Sequence, residues 1–91
     1  MSFQQWYWYV YIIECKDGSY YTGRTWDLDA RLEFHRTGRG GKYTGEHGVK
    51  RLAYYEMFDS FEAASLREKQ IQGWSRVKKE KLIRGEWKQE W

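Results

Sequence analysis

Tyr9-Val10-Tyr11-Ile12-Ile13-Glu14-Cys15-Lys16-Asp17-Gly18-Ser19-Tyr20-Tyr21-Thr22-Gly23 is the stretch on which the fold turns. Trp6 to Cys15 is dense in aromatic and β-branched residues and reads as a strand, with Ser19 to Thr25 as its hairpin partner. The loop between them sets the register. A two-residue Asp17-Gly18 turn would place Lys16 opposite Ser19 and send Tyr11 and Tyr21 to opposite sides of the sheet. A three-residue Lys16-Asp17-Gly18 loop with Gly18 left-handed sets Cys15 opposite Ser19, Ile13 opposite Tyr21 and Tyr11 opposite Gly23. Side chains alternate with period two, so this second register puts both tyrosines on one face. We adopt the three-residue loop.

Working outward, Thr25 or Asp27 can cap a helix starting near Leu28, and Asp27 and Asp29 suit its positive end. Leu28, Arg31, Leu32 and His35 share one face of that helix, which should stop by Thr37-Gly38. Gly38-Arg39-Gly40-Gly41-Lys42-Tyr43-Thr44-Gly45 is too glycine-rich for helix or strand and is expected to be loop. Lys50 to Phe58 reads as a third strand. Asp59 and Glu62 stand at capping-box spacing before a helix that runs to about Gln72 and ends at Gly73. A short basic helix follows, from Ser75 to Gly85. The order strand, strand, helix, strand, helix, helix predicts an α+β fold, a small antiparallel sheet covered by helices.

Ninety-one residues are expected to make one domain, with its core at about 7–84 and a loosely held tail over 85–91. Aromatic residues make up 20% of the chain, so rings must supply much of the core. Trp6, Trp8, Trp87 and Trp91 are expected to close the ends of that core or to mark a self-association patch. No apolar run approaches the roughly 20 residues that span a bilayer, and Met1 to Gln5 has no basic region of a secretory signal. The single Cys15 excludes an internal disulfide and cysteine-rich zinc frameworks, and it suits a reducing cytoplasm.

The net charge of +3 is unevenly spread. Residues 31–51 carry six basic and two acidic groups, and residues 74–91 carry six and three. The segments before each, 1–30 and 52–73, carry two basic and four acidic groups apiece. Basic blocks of this kind attract polyanions, nucleic acids among them. Arg39, Lys42 and Tyr43 in the glycine segment are candidate nucleic-acid contacts, because glycines let phosphate approach the backbone and a tyrosine can stack on a base. Arg76, Lys78, Lys79, Lys81 and Arg84 form a basic helix that either tracks a phosphate backbone or is a solvated face.

The chemistry-bearing residues are Tyr11, Tyr21, Arg31, His35 and Glu68. On the third helix Phe61, Ala64, Glu68 and Ile71 fall within a stripe of roughly 80°. A carboxylate on that core side is costly unless paired or bound to a metal, so Glu68 either pairs with Arg31 or serves a cation. Arg31 offers a fixed donor fork for a phosphate gaining charge. His35, one turn on, can orient a phosphate oxygen or relay a proton. Two phenols, a guanidinium, an imidazole and one carboxylate are a toolkit for cutting a phosphodiester.

These residues resemble the GIY-YIG nuclease domain. Its two eponymous tripeptides correspond to Tyr9-Val10-Tyr11 and Tyr21-Thr22-Gly23, and the resemblance continues through Arg31, Gly-Arg-Gly-Gly-Lys-Tyr-Thr and Leu66-Arg67-Glu68. It is similar to the small stand-alone branch, without an attached DNA-binding module. The resemblance implies a three-stranded antiparallel sheet flanked by helices and hydrolysis of DNA phosphodiesters, RNA being left open as a substrate. It implies one divalent ion, Mg²⁺ or Mn²⁺, held by Glu68. Tyr11 would be the general base, with Tyr21 as its hydrogen-bond partner and Arg31, Lys42 and the metal lowering its pKa. With no second domain, target choice would be structure-selective, weakly sequence-specific, or supplied by a protein partner. The alternative is a non-cleaving nucleic-acid-binding module on the same fold. Tyr9 stands where the family name has glycine and Thr22 where it has isoleucine, and the chain contains no asparagine, a residue nuclease members often carry late in the domain.

Overall fold

The computed structural model describes residues 6–39 and 41–86. Strand β1 (Trp8–Cys15) is the centre of a three-stranded antiparallel sheet, paired on one side with β2 (Tyr20–Thr25) and on the other with β3 (Val49–Phe58). The hairpin has the three-residue loop. The Cys15 amide donates to the Ser19 carbonyl at 2.8 Å, and Gly18 sits at φ 86°, a left-handed position where a side chain would be strained. Tyr11 therefore faces Gly23, and Ile13 faces Tyr21.

Helix α1 (Leu28–Arg36) starts at Asp27, whose carboxylate accepts from the Ala30 amide. Helix α3 (Phe61–Gln72) starts at Ser60 rather than Asp59. The serine hydroxyl accepts from the Ala63 amide, the contact that defines a cap, and Asp59 lies one residue too early to make it. Helix α4 (Arg76–Ile83) is capped by Ser75. The strand-strand-helix-strand-helix-helix order holds for these elements. One short element is added: Lys42–His47, within and just beyond the glycine segment expected to be loop, forms a six-residue helix, α2. Gly41 and Gly48, at φ 136° and 74°, break the chain on either side, and the residues between are free to coil.

The sheet is covered on both faces. Val10 and Ile12 point to α3 and α4, where Ala64, Ile71 and Leu82 close an apolar core. Tyr11, Ile13 and Cys15 point to the other side, packed with Tyr21, Leu28, Leu32, Val49 and Leu52. The ends are aromatic, with Trp8 edge-on to Phe61 at 4.9 Å and the exposed Trp6 edge-on to Trp26 at 5.3 Å. Trp87, Trp91 and the tail beyond Glu86 lie outside the described residues. Among the described residues no helix is long and apolar enough to cross a membrane.

Candidate active site

Gly23, on the edge strand β2, is the point around which the site is built. A Cβ at this position would lie 2.6 Å from the Tyr11 hydroxyl and 2.8 Å from its ring carbon Cζ. Only glycine lets the phenol of the central strand lie across the edge strand. The Tyr21 ring packs beside it, with centroids 6.3 Å apart.

The hydroxyl of Tyr11 bonds His35 Nε2 at 2.9 Å, and His35 Nδ1 bonds the Thr44 hydroxyl at 2.7 Å. All three residues are buried, at 1%, 2% and 1% exposure for Tyr11, His35 and Thr44. The partner of Tyr11 is thus His35, not Tyr21. Both ring nitrogens of His35 are occupied, by Tyr11 and by Thr44. Burial is the main cause that pushes the Tyr11 pKa far above the ordinary phenol value. The Tyr21 phenol and the Glu68 carboxylate add to that rise, and Arg31 opposes it. Arg31 lowers it, as expected of a nearby cation, but desolvation outweighs that effect. Burial, then Arg31, lowers the pKa of His35 and keeps the imidazole neutral at neutral pH.

Arg31 is exposed on α1, with no ion-pair partner among the described residues, yet near enough to act on both Tyr11 and His35. A guanidinium so placed is available to an anion arriving at the phenol.

Glu68 reaches the same locality from the other face. Its side chain is 13% exposed and pairs with Arg24 of β2, not with Arg31. Its second oxygen accepts from Gln72 Nε2 at 3.2 Å, and that amide also reaches the edge-strand carbonyl of Thr22 at 3.3 Å. A row of side chains across the sheet explains the placement. Val10 is flanked by Arg24 on β2 and Glu56 on β3, and the adjacent Arg67 and Glu68 of α3 straddle it with opposite charges. Arg67 is held by Glu56 through two bonds of 2.9 Å, which leaves Glu68 over Arg24 at the β2 edge.

Mg²⁺ and Mn²⁺ take oxygen ligands, and Mg²⁺ sites commonly keep several waters, so one carboxylate at a solvent edge is a fitting donor. Among the described residues no group of three or more His, Cys, Asp or Glu side chains gathers to cage an ion. A cation held there would rest on Glu68 as its one carboxylate, whose two oxygens are engaged by Arg24 and Gln72. Arg24 occupies that carboxylate, but its own side chain is 36% exposed and can turn outward.

The remaining candidates lie apart. Arg39 lines a groove of about 400 Å³ with Ala30, Glu33, Phe34 and Thr37 on the outer side of α1. Lys42 is exposed at the start of α2. Tyr43 stacks on His47 at 4.1 Å and leans on Tyr21 at 5.8 Å, so its ring already has aromatic neighbours. Arg76 is engaged by the Gly18 carbonyl, Glu80 and the Tyr20 ring, and clamps the hairpin loop. Lys78 lies over the Trp74 ring, and Lys79 is half-buried with its pKa lowered by desolvation. Helix α4 is in large part a fastening.

Sequence reasoning missed Arg24, Gln72 and Thr44. Arg24 and Gln72 left a signal. Period two puts Arg24 on the α3 face, and Gln72 stands one turn after Glu68. Thr44 left none, because its segment reads as loop.

With this geometry in view, the comparisons with known proteins agree on one class. Residues 7–81 match the GIY-YIG catalytic domain. The chain is 49% identical over 75 residues to the UPF0213 protein BH0048 of Halalkalibacterium halodurans, covering 82% of this chain and 80% of that protein. It is 48% identical to the UPF0213 protein SSP2268 of Staphylococcus saprophyticus, over 82% of this chain and 92% of that one. The solution NMR structure of BH0048 matches with a TM-score of 0.55 at 48% identity, over 85% of this chain and 82% of that chain. The chain belongs to the GIY-YIG superfamily, in its stand-alone branch. The relatives it resembles are likewise small.

Proposed function

We propose that this protein is a metal-dependent endonuclease that hydrolyses DNA phosphodiester bonds, structure-selective or weakly sequence-specific, in DNA repair or processing in the cytoplasm. The observation that carries the proposal is the convergence on one phenol: Tyr11 is hydrogen-bonded by His35 and feels the charges of Tyr21, Arg31 and Glu68. The five residues come from β1, β2, α1 and α3 to one phenol, which lies across the edge strand at Gly23.

In this reading Glu68 would hold the divalent ion, which when bound neutralises charge on the phosphate and makes water more acidic. Arg31 binds the phosphate and stabilises the charge that grows on it during attack. Tyr11 orients the attacking water, and its pKa keeps it a phenol rather than a standing phenolate. It accepts a proton only as it gives its own to His35. The exposed cations Arg39 and Lys42 add sequence-independent affinity for the backbone, with RNA as the competing polymer in the test.

One observation favours the alternative of a non-cleaving binding module: both Glu68 oxygens already have protein partners, Arg24 and Gln72. The two readings separate on labelled single-stranded and branched DNA with Mg²⁺, with Mn²⁺ and with chelator. The nuclease reading predicts metal-dependent cutting that Glu68→Ala abolishes while salt-sensitive DNA binding persists. Binding without cutting by either protein would establish the binding module.

A further inference from the structure

Two arginine–glutamate pairs flank Val10 on the α3 side of the sheet, and they are built differently. Arg67 and Glu56 meet through two bonds of 2.9 Å, and the third arm of the guanidinium donates to Gln70 at 2.8 Å. Their side chains are only 13% and 20% exposed, and Glu56 also accepts from the Tyr54 hydroxyl. Every nitrogen of that guanidinium is committed, in the bidentate geometry that makes such pairs strong. This pair is a lock.

Arg24 and Glu68 form the looser pair. Among the described residues the Arg24 guanidinium makes one hydrogen bond, from Nη1 to Glu68 Oε1, and its Cζ lies over the Phe61 ring at 4.9 Å. The Arg24 side chain is also more open to solvent than that of Arg67. Glu68 does not depend on it for its place. Its Oε2 accepts from Gln72 Nε2, and the same amide bonds the Thr22 carbonyl, so the carboxylate stays tied to the β2 edge when Arg24 is away. A cation held by one bond at a solvent edge leaves at small cost.

A divalent ion arriving at Glu68 meets a positive charge already there. The two cations repel at contact distance, in proportion to the charge of each. Binding the ion therefore requires Arg24 to withdraw, and the affinity of the site is reduced by the worth of the pair that breaks. With no ion bound, the same pair neutralises a carboxylate that is only 13% exposed. The Phe61 ring offers the withdrawn guanidinium a face to rest on.

We propose that Arg24 is the resident counter-ion of Glu68 and sets the affinity of this site for a divalent ion by competing with it for Oε1. This rests on the nuclease reading, in which Glu68 holds the ion, and adds an exchange of cations to it. Arg24 leaves the carboxylate as the ion arrives and returns as the ion departs.

The test uses Mn²⁺ alone, without DNA, with the free ion followed by electron paramagnetic resonance. It compares full-length wild type, Arg24→Gln, Arg24→Lys and Glu68→Gln. Arg24→Gln removes the competing charge and should bind Mn²⁺ about 10-fold more tightly. Arg24→Lys keeps the charge and should stay at the wild-type affinity, and Glu68→Gln should lose the site. Titrating wild type with Mg²⁺ should also move the Arg24 Nε–H signal in NMR spectra as the guanidinium changes partner. Equal Mn²⁺ affinities in wild type and folded Arg24→Gln, with binding lost in Glu68→Gln, overturn the proposal and leave the nuclease reading intact. Mn²⁺ binding that survives Glu68→Gln, or that no variant shows, overturns the assignment of the ion to Glu68 and the proposal with it.

Discussion

The two faces of the same three strands are covered in different ways. Toward α3 and α4 the central strand offers Val10 and Ile12, and the helices answer with Ala64, Ile71 and Leu82. Toward α1 and α2 it offers Tyr11, and the helices answer with His35 and Thr44, a polar chain buried as deeply as the aliphatic core. Apolar burial holds the first face whatever the angles. The second adds to its own apolar residues a buried polar trio, tolerated because Tyr11, His35 and Thr44 bond one another. The difference teaches that one sheet carries two kinds of burial: apolar packing on one face, and a bonded polar trio set within apolar packing on the other. Glu68 lies between them, on α3 over the apolar face and paired with Arg24 at the β2 edge.

The sharpest way to break this division is at the point where the faces meet. Gly23→Ala puts a methyl 2.6 Å from the Tyr11 hydroxyl, so either the phenol or the edge strand must move. Cleavage per folded molecule should fall by about 10²-fold or more, the usual result of displacing reacting groups by about 1 Å. Stability should fall by about 1–3 kcal/mol. Equal cleavage by a folded Gly23→Ala would separate the Tyr11 geometry from catalysis.

The complementary change acts on the other face. Leu82→Ala, in the apolar core under α4, should cost about 2–5 kcal/mol in chemical denaturation, with cleavage per folded molecule unchanged below the melting range. A parallel loss of activity would show that the two faces are not separable.

A smaller effect sharpens the comparison through pH. The folded pKa of His35 lies below its ordinary value, so the unfolded chain binds the proton more readily. The contribution of His35 to stability is complete above about pH 6.5 and is lost as pH falls below it toward the folded pKa. Wild type should therefore lose a few degrees of Tm on acidification through this window, and His35→Gln should lose less. The difference between the two proteins isolates His35 from His47, which pairs with Asp17. Glu14 and Asp17, whose pKa values are lowered, lose their contributions only at and below the ordinary carboxylate range.

How much of this was legible in the chain depended on how local the signal was. The hairpin register followed from a three-residue loop ending in glycine, because turn length and period two act over a few residues. The convergence of Tyr11, Tyr21, Arg31 and His35 followed from that register plus one helix turn. The polar partners did not, because they come from distant elements. Glu68 meets Arg24 across 44 positions, and no helical period encodes that meeting. Thr44 was hidden by its neighbours: a glycine-rich segment predicts freedom, yet here glycines bound a helix held by tertiary contacts. The direction of the Tyr11 pKa was also out of reach, since cations are visible in a sequence and desolvation is not.

The most direct test of the central claim is the cleavage rate of Tyr11→Phe on branched DNA, normalised to folded protein and measured beside salt-dependent binding. Removing one oxygen leaves the packing of the ring intact and ends the path from the water to His35. The account predicts a fall of about 10²–10⁴-fold in rate with DNA binding retained. An unchanged rate would contradict it and place the general base elsewhere than on the tyrosine face of the sheet.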